Sequence, residues 1–179
     1  MTGRTILVAV DLQKDFIDGA LGTKEAVEII PAAAARIREL REAGAEIFAT
    51  LDTHGEDYLR TREGRKLPVP HCIRNTEGWQ LNPVIREALG DGCTLVEKPT
   101  FGSLRLPELI RERIGEEKDV TIELLGLCTD ICVVCNALLL KTAFPEAEIR
   151  VHAACCAGVT PEKHRAALET MASCQIEIL

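Results

Sequence analysis

Thr5 to Leu12 reads TILVAVDL, an unbroken apolar run closed by Asp11. Apolar residues without alternation mark a strand buried on both faces, the pattern of parallel sheets. Working outward, PAAAARIRELREAG (Pro31 to Gly44) is a helix with Pro near its first position and Gly past its end. AEIFATL (Ala45 to Leu51) and CTLVEK (Cys93 to Lys98) are the second and third strands, and LPELIRERIG (Leu106 to Gly115) is a helix. DVTIELLG (Asp119 to Gly126) is a fourth strand, followed by the apolar helix DICVVCNALLLKTAF (Asp130 to Phe144), which Pro145 stops. EIRVHA (Glu148 to Ala153), the helix TPEKHRAALETMA with Thr160 as N-cap, and QIEIL (Gln175 to Leu179) complete the alternation. The expectation is a doubly wound α/β fold: a six-stranded, mostly parallel sheet with helices on both faces, in one domain over residues 1–179.

Composition narrows the function. A formal charge of −7 with no Lys/Arg stripe argues against nucleic acid, and 3% aromatic residues leave little for a base-stacking platform. No segment approaches the ~20 apolar residues that cross a bilayer. The apolar run at the start is too short for a signal peptide core and has no cleavage pattern. A cytoplasmic protein follows, in which the eight cysteines are mostly reduced thiols.

Parallel sheets bind ligands at the carboxyl ends of their strands, where strand order reverses. The polar residues there are Asp11, Asp52 with His54, Lys98, and the stretch Thr129 to Cys132. For the order 3-2-1-4-5-6, Asp11 and Cys132 face each other across the crevice. Thr129 as N-cap would place Cys132 in a first helical turn, where the dipole and free N–H groups lower a thiol's pKa. Cys135, one turn deeper, reads as an inert core thiol. Cys128, Cys132 and Cys135 also spell C-x-x-x-C-x-x-C, but two of them fall inside a helix-forming run, which weakens cluster and redox readings. Leu51 to Gln80 is a loop of ~30 residues without periodicity, and loops beyond ~15 residues are usually functional or disordered. It carries two of the four histidines and the single Trp and Tyr. Cys155 and Cys156, after the fifth strand, read as small buried thiols. His152 reads as a packed strand residue and His164 as a solvated helix residue.

DLQKDF (Asp11 to Phe16), DTH (Asp52 to His54), PHC (Pro70 to Cys72), TEG (Thr76 to Gly78), Lys98 and GLCTDICV (Gly126 to Val133) occur in the order seen in the isochorismatase-like cysteine hydrolases. The chain resembles their nicotinamidase branch along essentially its whole length. The resemblance implies a Rossmann-like sheet and a catalytic triad of Asp11, Lys98 and Cys132. It also implies a cis peptide bond between Leu127 and Cys128, with the N–H groups of Cys128 and Cys132 aimed at one oxyanion. Asp52, His54 and His71 match the pattern for a divalent metal, and one carboxylate with two imidazoles suits Zn, Fe or Mn. Glu63 is the first candidate for a fourth ligand, with Glu56 and Asp57 as rivals. Phe16, Trp79 and Phe101 are candidate pocket aromatics. The expected activity is hydrolysis of a small carboxamide, nicotinamide to nicotinate plus ammonia, by a homo-oligomer. The alternatives are another amide or carbamoyl substrate on the same triad, or a non-catalytic metal- or partner-binding domain.

Overall fold

A computed structural model describes residues 3–179. The strands are β1 (Arg4–Val10), β2 (Glu46–Asp52), β3 (Thr94–Lys98), β4 (Val120–Leu127), β5 (Glu148–Ala157) and β6 (Glu177–Ile178). They lie in the order β3-β2-β1-β4-β5-β6 with every neighbouring pair parallel. The helices are α1 (Lys14–Ile17), α2 (Lys24–Glu28), α3 (Ile30–Glu42), α4 (Arg62–Lys66), α5 (Pro83–Leu89), α6 (Arg105–Ile114), α7 (Val134–Ala143) and α8 (Pro161–Ser173). One group of packed helices holds α2, α3 and α5, and another holds α6, α7 and α8. No helix among the described residues is long and apolar enough to cross a membrane.

The expected strand order is the observed one, and its cause is visible in β1. Ile6, Leu7, Val8 and Val10 are fully buried, as are Ile122, Leu124 and Leu125 of neighbouring β4. Burying each such side chain contributes about 1.5–3 kcal/mol, so these two strands take the centre. The chain winds outward from β1 through β2 to β3, then returns to β1's other side with β4. The reversal therefore lies between β1 and β4. At its carboxyl end Val10 pairs with Gly126, whose φ is +127°. A Cβ there would sit 2.1 Å from the Val10 carbonyl oxygen, so only glycine lets the two strands close.

Four short helices, α1, α2, α4 and α5, have no counterpart in the sequence reading. The α5 helix, which lies between β2 and β3, has ordinary signals: Asn82 Oδ1 accepts from the Val84 and Ile85 N–H groups, Pro83 opens the helix and Gly90 follows it. At seven residues it shows too few turns for periodicity to stand out. The α1, α2 and α4 helices are shorter still.

A buried polar knot joins α3 to the sheet. Glu123 of β4 accepts from Arg36 Nη2 at 2.8 Å, and its Oε2 lies 2.6 Å from His152 Nε2 on β5. His152 is thus packed against a partner, as the sequence suggested. Burial pushes the Glu123 carboxyl up, but His152 and Arg36 outweigh it and hold the group below its ordinary range. A carboxyl so depressed stabilises the fold above the ordinary Glu range near pH ~4.3 and loses that contribution as pH falls through the native value. Glu123→Gln is expected to cost about 1–3 kcal/mol at pH 7. The gap between the two proteins narrows in acid, which thermal melts at pH 7 and pH 3 will show.

Candidate active site

Asp11 follows β1 with φ +47°, a left-handed conformation that Asp tolerates better than most residues. Its N–H donates to the Thr50 carbonyl at 3.2 Å, and Thr50 Oγ1 donates to Asp11 Oδ1 at 2.6 Å. Lys98 ends β3, two strands away, in register with Asp52 of β2. Its side chain crosses the end of β2, so Nζ lies 2.6 Å from Asp11 Oδ2, 3.5 Å from Asp52 Oδ1 and 3.5 Å from Cys132 Sγ. Nζ also donates to the Thr100 carbonyl at 3.0 Å. Asp11 is 0% exposed, Lys98 1% and Cys132 5%.

These burials set the protonation states. Burial alone lowers the Lys98 pKa, but Asp11, Cys132 and Asp52 more than reverse it, and the ammonium stays charged. For Asp11, burial raises the pKa, Lys98 pulls it down and the Asp52 carboxylate adds to the rise; the net direction is upward. Cys132 goes the same way: burial and Asp11 push the thiol well above its ordinary value, against Lys98. This corrects the expectation of a thiol lowered by a helix terminus. Thr129 is not an N-cap, since Cys128 takes that position and the Thr129 hydroxyl pairs with His164 Nδ1 at 2.8 Å. That same bond corrects the solvated reading of His164.

Residues Thr129–Val133 form a π-helical turn, a form that recurs at functional sites. The Cys128 carbonyl accepts from the N–H groups of Ile131 and Val133, which leaves the Cys132 N–H out of that pairing. The Leu127–Cys128 peptide bond is cis. Cys135 is only half-buried, while Cys155 and Cys156 are buried, and all eight cysteines are free thiols.

Beside Asp11, Lys98 and Cys132, the residues Asp52, His54 and His71 present ligand-type atoms within 4.8 Å of one another, all buried. Both histidine Nε2 atoms turn to Asp52 Oδ2, at 3.1 and 3.5 Å. Burial raises the Asp52 carboxyl, but bonds from His54 and His71 with the Lys98 charge hold it well below its ordinary value. Glu63 Oε1 lies 3.8 and 3.9 Å from the same two Nε2 atoms, whereas Glu56 and Asp57 are exposed. His71 Nδ1 is 2.8 Å from the Val69 carbonyl, which fixes the ring with Nε2 turned inward. One carboxylate and two oriented imidazoles, with a second carboxylate in reach, fit a divalent cation.

The long loop is thus a wall of the site. Phe16 packs against the His71 ring at 5.5 Å, and Trp79 Nε1 donates to Thr53 Oγ1 at 2.8 Å. Phe101 is 44% exposed and lies at the surface.

The comparisons with known proteins bear on this arrangement. Residues 5–179 match the family model of the isochorismatase domain. The chain belongs to the isochorismatase family. A family member, the Bacillus subtilis (strain 168) protein described as an uncharacterized isochorismatase family protein PncA, is 30% identical over 93% of each chain. Among solved structures, the pyrazinamidase of Pyrococcus horikoshii in complex with zinc superposes with a TM-score of 0.84 at 30% identity, covering 98% of both chains. The nicotinamidase/pyrazinamidase PncA of Bacillus subtilis gives a TM-score of 0.85 at 26% identity, again over 98% of both. The protein is an isochorismatase-family hydrolase with nicotinamidase relatives.

Two residues of this isochorismatase-family site escaped the sequence reading, although both lie in the quoted DLQKDF. Gln13, 0% exposed, accepts from the Asp52 N–H at 2.7 Å and donates to the Asp52 and Trp79 carbonyls at 2.9 and 2.8 Å. Asp15 Oδ2 accepts from the Cys72 N–H at 2.8 Å and so holds the residue beside His71. The available signal was a polar residue at every second position from Asp11. Gln13→Glu would set a carboxylate against two carbonyls, at an expected cost of about 2–3 kcal/mol in urea unfolding. The emission of Trp79, the chain's single Trp, should shift to the red in the folded variant.

Proposed function

We propose that the protein is a cysteine amidase that hydrolyses a small carboxamide, nicotinamide to nicotinate and ammonia. The meeting of the Cys132 sulfur, Lys98 ammonium and Asp11 carboxylate at one buried point of the strand-order reversal carries this reading. An amide carbonyl is a poor electrophile, and a thiolate divides its hydrolysis into two easier steps. Cys132 and Asp11 are both raised, so the resting proton stays on sulfur while Asp11 has the basicity to accept it. Lys98 Nζ, 2.6 Å from Oδ2, balances the Asp11 charge, and the Thr50 hydroxyl holds Oδ1, so the carboxylate is fixed in place to take the proton. As the proton leaves, Lys98 opposes the charge on sulfur. The oxyanion of the tetrahedral intermediate is received by the N–H groups of Cys128 and Cys132. Asp11 then protonates the departing ammonia, and water attacks the thioester with Asp11 again as base.

Asp52, His54 and His71, with Glu63 as the nearest fourth group, would hold a Zn, Fe or Mn ion. Bound there, such an ion supplies a Lewis-acidic anchor for a neutral ring nitrogen. Phe16 and Trp79 would border the ring. The reading places the protein in the cytoplasm as a homo-oligomer with a small-molecule substrate, and eight free thiols suit that compartment.

The test is ammonia release across a panel of small amides. Nicotinamide should turn over and benzamide, which lacks the ring nitrogen, about a hundredfold less well in kcat/KM. Cys132→Ala should abolish turnover with an unchanged circular dichroism spectrum; activity retained in that variant sinks the triad. Turnover confined to an aliphatic amide or carbamoyl compound would keep the triad and overturn nicotinamide. Metal analysis should find about one divalent ion per chain, lost in His71→Ala.

A further inference from the structure

Asn136 is 0% exposed and stands four residues after Cys132, within the largely apolar α7. A buried amide destabilises unless its polar atoms are paired. Here they are. Nδ2 donates to the Cys132 carbonyl at 2.8 Å and to the Phe101 carbonyl at 3.2 Å, and Oδ1 accepts from the Ser103 N–H at 3.0 Å. One planar group therefore ties the backbone of Cys132 to two points of the segment that follows β3. The same segment supplies the Thr100 carbonyl, which holds Lys98 Nζ at 3.0 Å. It also runs close over α7: a Cβ on Gly102 would lie 2.6 Å from Leu139 Cδ1 and 3.5 Å from Cys135 Cβ. Lys98 ends β3 and Cys132 lies in the turn after β4, 3.5 Å apart at their tips; apart from that contact, among the described residues only the Asn136 bonds join residues 98–103 to residues 128–136 by a side chain.

We propose that Asn136 is a positioning residue that sets the spacing between the Lys98 ammonium and the Cys132 sulfur. It does so by clamping the 100–103 segment to the turn that carries the sulfur. The inference rests on the reading of Cys132 as the nucleophile. Asn136 touches none of the reacting atoms. Its effect passes through Thr100 to Lys98 on one side and through the Cys132 backbone on the other.

Two substitutions separate clamping from packing. Asn136→Ala removes all three bonds. Asn136→Thr keeps a hydroxyl that can donate to the carbonyl four residues back, as Thr142 does to Leu138 at 2.8 Å and Thr170 to Ala166 at 2.9 Å. The Thr variant thus retains the bond to Cys132 and cuts those to Phe101 and Ser103. Four quantities are measured: Tm, kcat and KM on the amide that turns over, and the rate at which iodoacetamide labels Cys132, read by peptide mass spectrometry. Both variants should lower kcat roughly tenfold with KM nearly unchanged, and slow Cys132 labelling in parallel. The Thr variant should keep the higher Tm of the two. A lower Tm with kcat and labelling unchanged makes Asn136 a packing residue and overturns the proposal, as does a rise in KM alone. If Asn136→Ala does not fold, Asn136→Thr decides. The labelling rate needs no substrate, so it tests the clamp even if the amidase reading fails, whereas turnover in Cys132→Ala would sink that reading alone.

Discussion

A buried ammonium organises this molecule. Lys98 carries its charge at 1% exposure, where an isolated cation would cost several kcal/mol in lost hydration. It stays because three strand ends converge on it: Asp11 from β1, Asp52 beside it on β2 and the turn after β4. The two carboxylates need the cation as much as it needs them, since both would otherwise be anions in a dry interior. The strand order serves this arrangement. With β1 between β2 and β4, one long side chain from β3 reaches past the end of β2 to the crevice that the order reversal opens.

The Cys132 sulfur and the metal-type cluster share this charge. Asp52 faces Lys98 with Oδ1 and the two histidines with Oδ2. Gln13 fixes the backbone of that residue from both sides. A displacement of Asp52 would thus be felt in both halves of the site, which explains why a fully buried glutamine is spent on its peptide groups.

Much of this was legible in the sequence. Continuous apolar runs gave the first five strands, and their alternation with helices gave the parallel sheet and its order. Asp11, Lys98 and Cys132 meet as the motif register implied. Position along the strands alone argued poorly for Lys98, because strand spacing describes backbones and not the reach of a lysine. The roles of Gln13, Asp15 and Asn136 depend on partners distant in the chain, and nothing local names those partners. Thr129 shows the opposite failure. A threonine before a helix is ordinarily a cap, but the ring of His164 in α8 competes for its hydroxyl and wins. The thiol departs from expectation for a related reason: Cys132 is buried, and burial with the Asp11 carboxylate raises it against the Lys98 charge.

The convergence on Lys98 also bears on how the chain matures. During synthesis Asp11 and Asp52 emerge first, Lys98 later, and the cysteine turn only when more than two thirds of the polypeptide is made. The central strand pair is β1 with β4, the two separated by the whole N-terminal half, so closing it is a long-range event of the slow-folding kind. Until β4 docks, the sulfur has neither its cation nor its carboxylate and is an ordinary thiol. A nascent or truncated chain therefore holds the three groups apart, and the Asp11–Lys98–Cys132 cluster assembles only with the last central strand.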